Sequence, residues 1–299
     1  MNAPTAAQLA ERLERLELEL AALRRRVETN ELALVDDSGR VRARLELGEG
    51  GEPTFHLVAE DGAERLTLAL QPDGAAMVQV SDREGVGRAA LRVLAGGSPV
   101  VDLSDEAGTV RAMLAVEQGA PGLYLRDASG KRRVMVAARG DGVGSIEIFD
   151  GDERTRAGVR VLPDGSPVLA LGGPEGQTRI GLCAPADVSA RIDLFDANGR
   201  SRGALAVLPD GTPSFQLLDA EGLVRSAWRI LDKGPAGLSF GDGSERTRAQ
   251  LRVYSSGSAG LDLFDSDGKL RVTICTVGEG APAVHCLDPA GKVLWSAPL

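Results

Sequence analysis

"LFDANGRSRGALAVLPDGTP", residues 194–213, holds two turn signals with an alternating run between them. In "DANGR", Asp196 precedes Gly199 by three positions, and in "PDGTP", Gly211 is followed two residues later by Pro213. Glycine supplies positive φ without steric cost, and an Asp carboxylate accepts nearby backbone N–H groups. The same pattern returns as "LFDSDGKLRVTICTVGEGAP" at 263–282 and as "LVDDSGRVRARLELGEGGEP" at 34–53.

Aligned on the glycine of D-x-x-G, the copies fall at Gly39, Gly62, Gly85, Gly108, Gly130, Glu153, Gly176, Gly199, Gly222, Glu245, Gly268 and Gly291. Every interval is 23 residues except the 22 between Gly108 and Gly130, so twelve copies cover nearly everything after residue 30. Asp stands three residues before this position in ten of the twelve, Ala59 and Gly173 being the exceptions. Arg stands three residues after it in every copy but the last, where Leu294 replaces it. A second glycine, as at Gly51, Gly74, Gly97 and Gly211, marks another turn half a repeat later, with Val188 as a lapse.

Between turns the apolar residues alternate, as in Leu66, Leu68 and Leu70 or Val110, Ala112, Leu114 and Val116. Period two predicts strands with one buried face, two per copy and about twenty-four in all. The expected fold is therefore all-β: twelve 23-residue hairpin repeats over residues 31–299, following an N-terminal helix over 1–30, with 281–299 as a terminal cap.

A β-solenoid would stack equivalent residues ~4.8 Å apart, whereas a meander of hairpins places them about 10 Å apart. Columns of like charge destabilise a sheet when directly opposed, which favours the meander. The turn chemistry agrees. With the Asp position opposite the residue two after the glycine, the apolar sites of both strands share one face. Asp is then expected to cap the turn, and Arg to cover the other face and pair with carboxylates. The sharper alternative, a periodic guanidinium ladder for a ligand, has no feature that selects the ligand.

Such a sheet presents roughly 2,000 Å² of apolar face, more than a monomer leaves in water. The chain must curl on itself or meet other copies. Leu9, Leu13, Leu16, Leu20, Leu23 and Val27 are spaced 4, 3, 4, 3 and 4, an a/d heptad seam. With Leu13, Leu20 and Val27 at a, a parallel assembly pairs Arg12 with Glu17 and Glu19 with Arg24 of the neighbour, both attractive. The alternative is a helix packed on its own β domain. Three meanders with apolar faces inward would close a triangular prism with sides of about 20 Å, a shaft of roughly 115 Å.

Coiled coil followed by β shaft resembles the organisation of trimeric fibre proteins of phage tails and bacterial surfaces. The D-x-x-G-[RK] element in "DDSGR", "DASGK", "DANGR" and "DSDGK" is similar to the YD repeats of Rhs-type proteins over about five residues per copy. That second resemblance implies hairpins; the tyrosine of the repeat is missing, since the chain has only Tyr124 and Tyr254.

Composition narrows the function. Net charge is −9, which argues against nucleic acid, and no apolar stretch reaches the ~20 residues of a membrane span. Aromatics are 3%, so a core must be built from Leu, Val, Ala and Ile. Arg outnumbers Lys 30 to 4, the mark of a GC-rich genome rather than of a function. Cys183, Cys275 and Cys286 are odd in number and lack metal spacing, which fits a reducing compartment. With no apolar leader, cytoplasmic synthesis is the default, and signal-independent export or a virion or surface location stays open.

Chemistry is sparse. His56 and His285 share a register six residues before the turn glycine and read as surface strand residues. The glycine-rich "GDGVG" and "GGPEG" lie at repeat turns, without the strand-to-helix setting of a phosphate loop. No catalytic group, cofactor or metal site is expected. In the last copy, "HCLDPAGKVLWSAPL", capping of an exposed edge is the main reading. The alternative is a tip for a protein or glycan partner, with His285 and the aromatic platform of Trp295. The sequence thus points to a structural or interaction protein that associates with itself, in three copies by geometric preference. The competing reading is a monomeric closed domain, such as a six-bladed propeller, that binds a ligand or protein.

Overall fold

A computed structural model describes residues 5–23, 29–185, 190–230, 236–244, 246–277 and 280–298. These form one helix, α1 (Ala6–Leu23), and twenty-four strands. Two compact units emerge, Met1–Val110 and Arg111–Leu299. In the first, seven strands from Glu31–Val35 to Pro99–Ser104 each pair antiparallel with the next in sequence. In the second, seventeen strands from Val110–Glu117 to Val293–Pro298 do the same. The hairpin meander is therefore present. Pairing in the second unit never breaks at every fourth strand, so separate propeller blades are absent among its described residues.

Both turns of a copy have one geometry. In the first, the Gly199 N–H donates to the Asp196 carbonyl at 3.1 Å and the Asp196 N–H to the Arg200 carbonyl at 2.9 Å. The second repeats this with Gly211 to Leu208 and Leu208 to Thr212, both at 2.8 Å. A three-residue loop ending in a left-handed glycine is a favoured hairpin connection. Gly199 has φ 77° and no atom within 4 Å of a built Cβ, so only conformation demands glycine. Gly199→Ala should therefore destabilise by about 1–2 kcal/mol, the left-handed penalty of an L-residue. Urea unfolding checks this, and an unchanged midpoint would remove the turn geometry as a source of stability.

The strand bodies follow the expected register: Leu194 lies opposite Gly203 and Ile192 opposite Leu205. The turn corrects it by one residue. Phe195 pairs with Ser201, which leaves Arg202 as the extra residue of a bulge, and Asp196 meets Arg200 rather than the residue beyond. A bulge re-aims a side chain, and here it directs the recurrent arginine along the sheet. No such shift accompanies the second turn, where Val207 pairs directly with Pro213.

Glu153 occupies a glycine position with φ 61°. The local strain has a compensation: its Oε1 accepts the Arg132 backbone N–H of the preceding copy at 2.9 Å.

Helix α1 starts with a reciprocal cap. The Thr5 N–H donates to Gln8 Oε1 at 2.9 Å, and the Gln8 N–H to Thr5 Oγ1 at 3.4 Å. Its described residues are exposed throughout.

Candidate functional site: an uncovered apolar face

The large apolar side chains line one face of each unit, and the chain by itself leaves them in water. Six residues after the turn position stand Leu45, Leu68 and Leu91 in the first unit. In the second stand Leu114, Val136, Val159, Leu182, Leu205, Trp228, Leu251 and Ile274. All are 40–60% exposed, Leu68 least and Trp228 most. Their cross-strand partners continue the stripe: Leu205 lies opposite Phe215, Phe215 opposite Trp228, and Trp228 opposite Leu238. The buried apolar residues are mostly alanines, with Val100, Met135, Val143 and Phe149 the larger ones. Burial therefore does not coincide with hydrophobicity, the reverse of an ordinary core.

Size is graded across this face. The central pairs join two large residues, as Leu205 with Phe215 or Leu45 with Phe55. Pairs beside the second turn join a large residue to a small one, as Val161 with Pro167 or Leu70 with Ala76, while pairs beside the first turn are mixed, Leu217 lying opposite Gly203 but Leu57 opposite Leu66.

The other face is closed by ion pairs over small residues. Asp262 is 1% exposed, with Arg252 Nη2 at 2.6 Å and Gln250 Nε2 at 3.2 Å. The Arg252 guanidinium stacks 4.3 Å from the Tyr254 ring centroid. Arg191 pairs with Asp193, Arg139 with Glu147, and Arg92 with Asp102. His56, expected on the surface, is buried instead. Its Nδ1 lies 3.0 Å from Glu64 and its Nε2 3.7 Å from Glu46, beside Arg44, which contacts both carboxylates. Long charged side chains cover the imidazole. Asp102, Glu147, Asp193 and Asp262, at the same position in other copies, are buried under arginines in the same way.

The Asp and Arg columns staple the hairpins. Asp196 Oδ1 accepts the N–H groups of Asn198 and Arg200 at 2.9 and 3.1 Å. Arg202 Nη1 approaches Asp196 Oδ2 at 3.5 Å, while its Nε donates 3.1 Å to the Leu218 carbonyl of the next copy. Arg88, Arg156, Arg179, Arg225 and Arg248 make the same carbonyl bond. A second row runs one residue after the turn, from Lys131, Arg154, Arg200 and Arg246 to carbonyls of the next turn. The guanidiniums that a ligand ladder would need are engaged within the sheet.

Of the seam residues, Leu9, Leu13, Leu16 and Leu20 are more than half exposed, which leaves the seam open. The Leu23 side chain and Val27 lie outside the described residues. His285 and Trp295 are not brought together. Trp295 pairs with Cys286 and His285 with Ser296, so the two alternate to opposite faces. Trp295 is 55% exposed on the apolar side, beside the exposed Leu294 at the bulge. Among the described residues no cluster of His, Cys, Asp or Glu is arranged to hold a metal. No described helix is long and apolar enough to cross a membrane.

No known protein family and no curated protein matches the chain. Among solved structures it is similar to the TCP domain of SAS-4 from Drosophila melanogaster, solved with a proline-rich motif of Ana2. Identity is 13%, coverage is 64% of this chain and 93% of that one, and the TM-score is 0.25. The chain is a β-hairpin repeat protein.

Proposed function

We propose that this protein is an oligomeric β-repeat scaffold in which copies of the chain close their apolar faces against one another and extend a shaft for display or tethering. The observation that carries this reading is the half-exposed column from Leu45 to Ile274, repeated in every copy that has a large residue there. The chain alone exposes 19523 Å². A compact monomer of this mass exposes about 12,000 Å², so the excess is about 7,500 Å². Obligate interfaces bury roughly 2,000–5,000 Å² or more, so the surplus is ample for one.

The size gradient favours three copies. In a three-sided prism with walls of about 20 Å, the wall centres stand farthest from their neighbours, about 6 Å from the axis, and the walls converge at the corners. Large residues then belong at the centre and small ones toward the corners. Two sheets packed at a uniform ~10 Å would have no use for that taper. The helix, with its open leucine seam, gathers the chains.

Light scattering after size exclusion tests this on the full chain and on a form lacking residues 1–29. A mass near three times 31.2 kDa, lost in the truncated form, is the expected result. A 31.2 kDa monomer would overturn it.

A further inference from the structure

Resting on the trimeric reading above, we infer that the three copies stand parallel and in register, with the layer at Trp228 acting as the key. Orientation comes from the helix. A parallel arrangement sets Arg12 against Glu17 and Glu19 against Arg24 along the Leu13–Leu16–Leu20 seam. Three residues separate Val27, the last seam position, from Glu31, a reach of at most about 14 Å, so chains leaving a parallel coil begin their sheets at nearly the same level. That tether still tolerates a slip of one copy, about 10 Å. The helix therefore sets direction, and the sheet must set register.

An identical repeat would leave register undefined, because each slipped alignment buries nearly the same surface. Trp228 breaks the degeneracy. It is the largest residue of its column and the most exposed, at 60%. On the same face, the position four after the turn is small around it: Gly203, Ser226 and Ala249 in three successive copies. No other three successive copies are as small there, since each includes Leu66, Val134, Ile180, Val272 or Trp295, or consists of two alanines with one of these.

Gly203 is not required by its own chain. A Cβ there would meet Leu194 Cδ1 at 3.5 Å and the Gln216 carbonyl at 3.7 Å, both ordinary contacts. The empty volume is therefore available to an indole. In register, three Trp228 rings share one level with three sets of these small residues. A slip of one copy moves each ring to the level of Leu205 or Leu251 and brings Ile180 or Val272 into the space.

The test places nitroxide labels in the full chain with Cys183, Cys275 and Cys286 replaced by Ser. One label goes on Asp37→Cys and another, in a separate protein, on Asp267→Cys, both exposed turn positions far apart in sequence. Pulsed dipolar spectroscopy should give one narrow inter-copy distance at each, about 25 Å by strand length. Trp228→Leu should keep the oligomeric mass but broaden the Asp267 distribution. Long separations at either site in a protein of intact trimer mass would overturn the parallel arrangement while the scaffold reading stands. A distribution that stays narrow in Trp228→Leu would overturn the keying role. A monomeric mass would remove both.

Discussion

Leu205→Asp should disperse the proposed assembly and leave the hairpins paired. Leu205 is 53% exposed in the single chain, opposite Phe215 at the centre of the apolar face. A carboxylate there remains hydrated as long as the chain is alone, and the flanking turns at Gly199 and Gly211 keep their bonds, so strand content should hold. Closure of the face changes this. Every copy carries the substitution, so a trimer buries three carboxylates at one level with no cation opposite. Each such burial costs several kcal/mol even after relaxation. At about 1.4 kcal/mol per factor of ten, association weakens by more than about 1,000-fold. Sedimentation across a concentration series reads the mass, with far-UV circular dichroism as the check on the strands. Asp267→Ala, on an exposed turn, should change neither. An oligomer of unchanged mass in Leu205→Asp would place the interface elsewhere and sink the scaffold reading.

The fold was legible because each turn is written in residues with local meaning. Asp196 and Gly199 state the first turn of their copy, Asp210 and Gly211 the second, and Leu205 and Val207 show the facing between them. The bulge at Arg202 was not legible: a column of arginines is compatible with an unbulged ladder, and the choice depends on a carbonyl sixteen residues away, at Leu218. Contacts between adjacent hairpins belong to the sheet, not to the repeat. His56 was misplaced for the same reason, since Glu64 and Arg44, which cover it, come from neighbouring strands. The uncovered face could be anticipated from alternation alone. The heptad seam points to other copies as its occupant, but a partner identical to the chain would add no complementary signature to fix their alignment; only the size contrast around Trp228 bears on that.

The turn aspartates make the protein sensitive to acid in a way that separates their hydrogen bonds from their ion pairs. The Asp36 carboxyl is lowered to about 2, first by the Ser38 hydroxyl and next by the Arg40 N–H. Asp150, Asp196 and Asp219 are lowered chiefly by the N–H four residues on, and Asp242 by that of Ser244. Asp164 and Asp210 in the second turns are lowered first by the N–H two residues on. The unfolded carboxyls titrate near 3.8. Below that pH the unfolded chain binds protons that the folded chain still refuses, so stability falls as the pH drops. The contribution is complete above about pH 5 and is lost between about pH 4 and 2. The urea midpoint should therefore stay level from neutral pH to about 5 and then drop steeply, because copy after copy titrates in the same window. Backbone N–H donors lead the causes at most of these sites, so 1 M salt, which screens exposed charges within about 3 Å, should leave the drop largely in place. Asp196→Asn keeps an acceptor for the Asn198 N–H but cannot titrate, and should remove one copy's share of the slope. A drop abolished by salt would assign the acid sensitivity to the Arg–Asp pairs instead, and a level midpoint down to pH 2.5 would show that the caps contribute nothing to folding.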